Sequence, residues 1–443
     1  MKKINIYSTL LLLSLMAIVS CEKENLSTPK QSINMIEENE SIKMIKKNEL
    51  SKEASELLDK INLNDTAEKE VFKFDLDKIL SEGVIDLNAA SSKILSGKFT
   101  IVSSSTKASG NQILKLKSPQ NEIKLPDGSL QEELEKYTYQ TLVIDEANGA
   151  FYGSLRIGDQ YGTISSIGKG EAVLIKIDVA KMGNKTCETV KENAQRVKSN
   201  NKLNENNRVS ISQPTIKVLI LYSEGTNAAA FMTAVSWFGN MLADYMANEF
   251  NEATKGEVNF VVTANVAPNT NFNVYKGGGF VSVKVYANIV REDANLVQYV
   301  VQNANVGSSG EQGAGDLNDF FSVIREGAMI SIRGSIHEIG HNFGMHHDWN
   351  QNKNADCFHG GLIKMSFWGS QKIPIARTIM SYPHLSLPLV NNFSSAGSPI
   401  LSSRYLSMYN GTPCTATGTT TGTGPANNFD RIRTQKNIIA NWK

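Results

Sequence analysis

The spacing of apolar residues between positions 97 and 194 is typical of β-strands. Apolar and polar residues alternate in short segments that Gly, Asn and Asp separate, which is the pattern of half-buried strands. The predicted strands are Lys98–Val102, Gln112–Lys117, Thr138–Ile144, Ala150–Ile157 and Ala172–Val179. Residues 97–194 are therefore predicted to form a β-rich domain.

The pattern changes after Pro214, where longer apolar runs begin. The predicted elements are a buried strand at 216–222, a long helical stretch at 228–253, strands at 258–266 and 281–286, short apolar runs at 296–301 and 320–324, and a closing helix at 428–442. Strands that alternate with helices indicate an α/β sheet. Residues 214–443 are therefore predicted to be a separate α/β domain.

Two further segments are polar and lack an apolar period. Residues 21–96 are rich in Glu, Lys, Asn and Ser, and they are predicted to be a tether and an N-terminal pro-region. Residues 195–213 are Asn-rich, and they are predicted to be an exposed linker that tolerates proteolytic processing. The β-rich domain thus lies between two segments without a core of their own.

The overall composition excludes one class of partner. A hydrophobic content of 41% with 20% charged residues is ordinary for a globular protein of two to three domains. The net charge is only +1, and no stripe of Lys and Arg with interleaved aromatic residues occurs. The sequence therefore predicts no nucleic-acid partner.

The first twenty residues have the pattern of an export signal. A basic start, Met1-Lys2-Lys3, precedes the apolar run Leu10–Val19, which is too short to predict a membrane span. Residues 1–20 are therefore predicted to be a signal peptide that directs the chain out of the cytoplasm.

The end of this signal, Ile18-Val19-Ser20-Cys21, resembles the lipobox of bacterial lipoproteins, in which the cysteine is lipidated. Cys21 is then the membrane anchor, and the lipid is the only predicted contact with the membrane. A plain secretory signal with an incidental Cys21 is the alternative. The acidic residues Glu22 and Glu24 resemble surface-export signals, which favours an outer-membrane or cell-surface location, with extracellular release of the mature catalytic domain as a further outcome.

The most specific motif of the chain is the run His337–His347, which reads His-Glu-Ile-Gly-His-Asn-Phe-Gly-Met-His-His. It fits the zinc pattern His-Glu-x-x-His-x-x-Gly-x-x-His. His337 and His341 are four residues apart, so on a helix both rings can reach one ion. Glu338 is offset around the helix, where it can accept a proton from a bound water instead of ligating.

The second half of this run supplies the third ligand. Gly344 is expected to end the helix in the left-handed conformation, and the turn brings His347 back to the metal. Zinc with three protein ligands keeps a fourth position for water, which is the catalytic arrangement. His346 is the alternative third ligand, although it falls one residue short of the pattern. The alternative for the whole run is a buried helix whose histidines are satisfied core residues and bind no metal.

A second motif, Thr378-Ile379-Met380-Ser381-Tyr382-Pro383, follows downstream. With the zinc motif it makes the chain resemble the metzincin metallopeptidases, whose Met-turn lies beneath the metal. The resemblance implies a twisted, mostly parallel sheet above an active-site helix for residues 214–443. It also implies one catalytic zinc ion and protein or peptide substrates, with Met380 as a hydrophobic floor that does not bind the metal.

Other residues resemble particular branches of this clan. Asp348, directly after the third histidine, resembles the reprolysin or adamalysin branch, and residues 376–381 with Asn392-Phe393-Ser394 resemble its bacterial members. Tyr382, two residues after the methionine, instead resembles the astacin and serralysin branches, where it can steady the developing oxyanion. An ordinary aromatic residue beside a proline turn is the alternative for Tyr382.

Three cysteines remain if Cys21 carries lipid. In an oxidising environment Cys357 and Cys414 are predicted to pair, which would stabilise the fold by about 4 kcal/mol on a loop-entropy estimate; two free thiols are the alternative.

Cys187 precedes the linker and is a candidate latency switch, because a thiolate can fill the water position on zinc. This resembles the cysteine switch of some metzincins, and a structural or free thiol is the alternative.

These patterns favour a zinc endopeptidase that is exported as a latent, monomeric zymogen, with the β-rich domain as its propeptide. An adhesion module is the alternative for that domain. The rival functions are a non-catalytic surface adhesin that retains a metzincin shell, and a metal-capture protein, which would not need Glu338. Calcium binding stays open, although no EF-hand loop or glycine-aspartate repeat occurs. Substrate preference depends on distant loops.

Overall fold

The computed structural model describes residues 41–61, 66–118, 138–157, 160–177, 188–190, 213–268, 278–302, 313–331, 334–347, 362–366, 372–377, 379–380, 406–408 and 428–442. Residues Glu40–Lys443 form one compact unit. The predicted signal peptide, Cys21 and almost all of the predicted linker 195–213 lie outside the described residues. Within the described ranges, no helix is long and apolar enough to cross a lipid bilayer.

The first part of the chain forms a nine-stranded sheet in the order β1-β2-β9-β8-β7-β6-β5-β4-β3. Its strands are β1 (Ile42–Ile45), β2 (Thr66–Phe74), β3 (Val84–Asp86), β4 (Lys98–Thr106), β5 (Gln112–Lys117), β6 (Gln140–Asp145), β7 (Ala150–Ile157), β8 (Gln160–Gly168) and β9 (Glu171–Ile177). All neighbouring strands are antiparallel. With the helices α1 (Lys52–Lys60) and α2 (Leu76–Glu82), this sheet is called the N-terminal module below.

The alternation of apolar residues explains why these segments are strands. The five strands predicted between residues 97 and 194 overlap β4, β5, β6, β7 and β9. The sheet also extends back to β1 and β2, in a segment where the sequence shows no sustained apolar stripe. Buried apolar residues such as Ile42 and Phe72 hold that segment, and polar bonds add to them: the Ser51 N–H and hydroxyl donate to the carboxylate of Glu171 at 2.7 and 2.6 Å. These bonds tie the start of α1 to β9.

The second part of the chain forms a six-stranded sheet in the order β10-β14-β15-β13-β11-β12. Its strands are β10 (Glu188–Val190), β11 (Thr215–Ser223), β12 (Asn259–Ala267), β13 (Leu296–Val301), β14 (Gly313–Asp316) and β15 (Phe321–Arg325). Every neighbouring pair is parallel except β14 with β15. The short edge strand β10 precedes the linker in the sequence, yet it pairs with this sheet.

Helices surround this sheet, and together they are called the C-terminal module below. They are α3 (Asn227–Ala234), α4 (Phe238–Ala253), α5 (Gly278–Val290), α6 (Glu326–Ser331), α7 (Gly334–Asn342) and α8 (Asn428–Ile439). A separate antiparallel sheet has the order β17-β16-β18, with β16 (Leu362–Ser366), β17 (Lys372–Arg377) and β18 (Leu406–Met408).

The strand predicted at residues 281–286 is wrong, because this segment belongs to helix α5. Val281, Val283 and Val285 alternate along the sequence as in a strand. In the structure Val283 and Ala287 are fully buried, whereas Val281 and Val285 are about half exposed. A spacing of four between buried residues is helical, so packing in the folded chain overrides the local β-branched pattern.

Candidate metal centre

The N-terminal end of helix α7 is attached to the centre of the six-stranded sheet. Gln298 lies in β13 and has no exposed surface, although the strand is otherwise mostly apolar. Its Nε2 donates to the backbone carbonyl of Ser335 at 3.0 Å and to Ser322 Oγ at 3.2 Å, and the Ser335 hydroxyl donates to its Oε1. A buried amide with these bonds is satisfied, and it sets the position of α7 above the sheet.

The C-terminal end of α7 is attached in the same way. Asn342 is fully buried, and its Nδ2 donates to the carbonyl oxygens of Asp316 at 3.1 Å and Phe321 at 2.8 Å. Those two residues flank the connection between β14 and β15. The helix is thus fixed to the sheet at both ends by side-chain amides.

The turn after α7 depends on Gly344, as the motif predicts. Gly344 has a φ of 83°, and its N–H donates to the carbonyl of His341 at 2.7 Å. A Cβ at this position would lie 2.6 Å from Nη2 of Arg431 and would also collide with Oδ1 of Asn318. Glycine is therefore required both for the left-handed backbone and for the close approach of these side chains.

Three histidine side chains converge after this turn. His347 Nε2 lies 3.0 Å from His341 Nε2 and 3.0 Å from His337 Nε2. His341 and His347 are buried, and His337 is partly exposed. Among the described residues, these three form the one group of metal-ligating side chains close enough to hold a single ion.

Backbone carbonyls orient two of the rings. His337 Nδ1 donates to the carbonyl of Ile379 at 2.8 Å, and His341 Nδ1 donates to the carbonyl of Met345 at 2.8 Å. Because a carbonyl oxygen only accepts, the proton of each neutral ring lies on Nδ1 and leaves a lone pair on Nε2. Such second contacts are how proteins orient imidazole ligands.

The chemistry of the three nitrogens fits a metal ion. Nε2 of His337 and Nε2 of His341 are both acceptors, and His347 Nε2 can donate a proton to only one of them. A cation shared by all three lone pairs removes this conflict. Burial lowers the pKa of His341 well below 6.5, and a second proton on the neighbouring His337 ring would lower it further, so the His341 ring stays neutral and able to ligate.

Glu338 lies beside strand β14 and not within the group of three ligands. Its residue is 2% exposed. A Cβ at Gly313 would lie 2.8 Å from its carboxyl carbon, and a Cβ at Gly315 would lie 3.2 Å from its Oε2. The two glycines of β14 therefore leave the space that this carboxylate occupies.

The predicted Met-turn contributes a contact that the motif alone did not indicate. Ile379 supplies the carbonyl that orients His337, and Met380 is fully buried in the same apolar cluster as Ile336 and Ile339 of α7. His346 is also buried but does not belong to the group of three. His347 is thus the third member of the group that can hold a metal.

Several predicted residues lie outside the described part of the chain. They are Cys21, Cys187, Asp348, Cys357, Tyr382 and Cys414. The lipid anchor, the latency switch, the disulfide and the oxyanion tyrosine therefore stay predictions. The sequence did not predict that Gln298, Arg431 and the two glycines of β14 support the site. Among these residues, only the closely spaced glycines in Gly313-Ala314-Gly315 indicate a close approach of another group.

Known protein families and curated protein sequences give no relative for this chain. No protein-family model matches it, and no curated protein matches its sequence significantly. The described residues define a protein of mixed strands and helices with a three-histidine group that can hold a metal ion. Any narrower assignment rests on the chemistry of these residues.

Proposed function

We propose that the chain is a zinc-dependent endopeptidase of the metzincin type, exported as a surface lipoprotein and kept latent until processing. The observation that carries this proposal is the convergence of His337, His341 and His347 on one site, with Glu338 buried on the same helix. Three neutral imidazoles suit zinc, and a fourth position left to water is the arrangement of catalytic sites. The proposed substrates are proteins or peptides.

Each residue has a stated role in this proposal. A bound zinc ion would lower the pKa of a water molecule and polarise the scissile carbonyl. The Glu338 carboxylate takes a proton from the attacking water and passes it to the nitrogen of the leaving amine. Tyr382 would donate a hydrogen bond to the oxygen that becomes negative, and Met380 would support the histidines from below.

The position of β10 supports the latent state. β10 pairs in parallel with β14, with Glu188 opposite Ala314 and Thr189 opposite Gly315. It therefore occupies the outer edge of the strand that flanks the Glu338 carboxylate. An extended peptide that adds to a sheet needs a free edge of this kind. Cys187 directly precedes β10 in the sequence, which supports its candidacy as the latency switch.

Two substitutions test the proposal on protein cut within residues 195–213. Glu338→Gln should keep the bound zinc but lose roughly 100- to 10,000-fold in casein hydrolysis. His347→Ala should lose both the zinc and the activity, whereas His346→Ala, the matched control, should keep the zinc. Full casein hydrolysis by Glu338→Gln would contradict the role of this carboxylate. In the cut wild-type protein, zinc binding without any cleavage would instead favour metal capture, and neither binding nor cleavage would favour an adhesin.

A further inference from the structure

Helix α4 is enclosed by the two modules. It packs against β12 of the six-stranded sheet and against β6 and β7 of the nine-stranded sheet. Ten of its sixteen residues are buried, among them the polar pair Asn248 and Glu249. A helix at the surface of a domain buries one apolar stripe, so α4 behaves as an interior helix of a larger fold.

The N-terminal module contributes apolar side chains to this arrangement. The ring of Tyr152 in β7 lies edge-on to Phe238 at 5.3 Å and to Tyr245 at 5.2 Å, measured between ring centroids. Ile113 and Val143 belong to the same apolar cluster as these residues, whereas their neighbours Leu114 and Leu142 belong to a cluster inside the N-terminal module. Successive residues of a strand point to opposite faces, so both faces of this sheet are apolar, and one of them is covered by the C-terminal module.

Polar contacts cross the same surface. The Thr141 hydroxyl in β6 donates to Glu249 Oε1 at 2.5 Å, and Asn248 Nδ2 donates to the Thr141 oxygen at 3.2 Å. Thr141 has no exposed surface, and Glu249 is 3% exposed. If the two modules separated, Thr141, Asn248 and Glu249 would lose these hydrogen bonds, and an unpaired polar group is costly for a fold that has buried it.

Further contacts surround this buried centre. Ser109 and Asn111 donate to Asp244 Oδ2 at 2.6 and 2.7 Å. Lys115 forms an ion pair with Glu252 at the far end of α4. The surface therefore has a buried centre of apolar side chains with one hydrogen-bonded polar cluster, and a polar rim around it.

We infer that the N-terminal module stays bound to the C-terminal module after the linker 195–213 is cut, as a permanent part of the mature protein. The inference goes beyond the proposed peptidase function, because it concerns the core shared by the two modules. It does not depend on whether the three histidines bind zinc or the protein cleaves peptides. It also defines the activation step for a latent enzyme. Cleavage within residues 195–213 would leave β10 attached to the N-terminal module alone, so its separation from β14 would not require release of the nine-stranded sheet.

The test uses the full chain with a site-specific protease sequence introduced between residues 195 and 212. After complete cutting, the two fragments should elute together in gel filtration at nanomolar concentration and separate only in denaturant. Fragments that elute apart in native buffer would overturn the inference. Zinc content and casein hydrolysis are measured on the same fractions, so a failure of the peptidase proposal is recorded independently.

Substitutions at this surface test whether it holds the two cut fragments together. Tyr152→Ala should increase the dissociation rate of the cut fragments at least about tenfold, which corresponds to a loss of about 1.4 kcal/mol. Tyr286→Ala, which removes a partly buried ring from another apolar cluster, is the matched control and should not change this rate. If Tyr152→Ala does not fold, Asp244→Ala tests the polar rim instead. An unchanged dissociation rate in every folded interface variant would overturn the assignment.

Discussion

The guanidinium of Arg431 holds the backbone at Phe343, because its Nε donates a 2.9 Å hydrogen bond to the Phe343 carbonyl. Arg431 lies in α8, near the end of the chain, and Phe343 follows the last residue of α7. The same guanidinium donates to Asn318 Oδ1, and the Asn318 N–H donates to the carbonyl of His341 at 3.2 Å. A helix distant in sequence thus fixes the turn that carries the third histidine.

Arg431→Ala should weaken the metal site without touching a ligand. Loss of partners around metal ligands costs about 10- to 100-fold in metal affinity, and a hydrogen bond to a charged group contributes about 1.5–3 kcal/mol to stability. Zinc affinity by dye competition and thermal unfolding measure the two effects. Arg433→Ala is the control on the same helix, because Arg433 is about half exposed and contacts Glu257. Equal zinc affinity in both variants would rule out this role for Arg431.

Gly344→Ala should destabilise the protein and abolish zinc binding. The substitution places a Cβ at a φ of 83° and against Asn318 and Arg431, so backbone strain and collision combine. Strain of this kind costs about 1–3 kcal/mol. Gly149→Ala is the matched control, since Gly149 has a φ of 60° but open space around its Cβ position. It should lose about 1 kcal/mol and keep its zinc; similar zinc loss in both would contradict this account of the turn.

Gly313→Ala should reduce catalysis while the zinc stays bound. Its Cβ would collide with the carboxylate of Glu338, which would have to move from its place beside β14. We expect a fall in kcat of about 100-fold, comparable to displacement of a general base, with unchanged zinc stoichiometry. Ala314→Gly, on the opposite face of the strand, should keep most of the activity. Full activity in Gly313→Ala would show that the position of Glu338 is not critical.

Acidification should destabilise the metal-free protein and release zinc from the metal-bound protein. The folded pKa of His341 is lowered well below 6.5, mainly by burial, so the unfolded chain takes up the proton first as the pH falls. Stability from this residue is therefore complete above about pH 6.5 and is lost as the pH falls toward the folded pKa. Protons also compete with the metal for Nε2. Urea unfolding at pH 8 and pH 5, with a zinc-release titration, measures both effects; identical stability at the two pH values would contradict this.

The ligand group could be predicted from the sequence because its geometry is local. A spacing of four places His337 and His341 on one helix face, and Gly344 allows the turn that returns His347. Five of the nine strands of the N-terminal module could be predicted for a similar reason, since residues such as Phe99 and Ile101 alternate over a few positions. Helix α5 shows the limit, because alternating valines indicate a strand until the burial of Val283 and Ala287 is known.

The residues that hold the metal site in place could not be predicted, because their roles depend on contacts between residues distant in sequence. Arg431 is 88 positions from Phe343, and Gln298 is 37 positions from Ser335. A buried glutamine in a strand and an arginine in the last helix have many possible partners in an unfolded chain. Only the folded arrangement of α7, α8 and the sheet selects one partner for each. The same holds for Tyr152, whose partners lie in the other module.

The most direct test of a zinc peptidase is to remove the zinc from processed wild-type protein with a chelator and then to restore it in the same sample. Metal content by mass spectrometry and cleavage of a peptide library are measured before chelation, after chelation and after zinc is restored. We expect one zinc ion per chain at the three-histidine group, loss of cleavage when the zinc is removed, and recovery when it returns. Cleavage that continues after complete removal of zinc would contradict the proposed function.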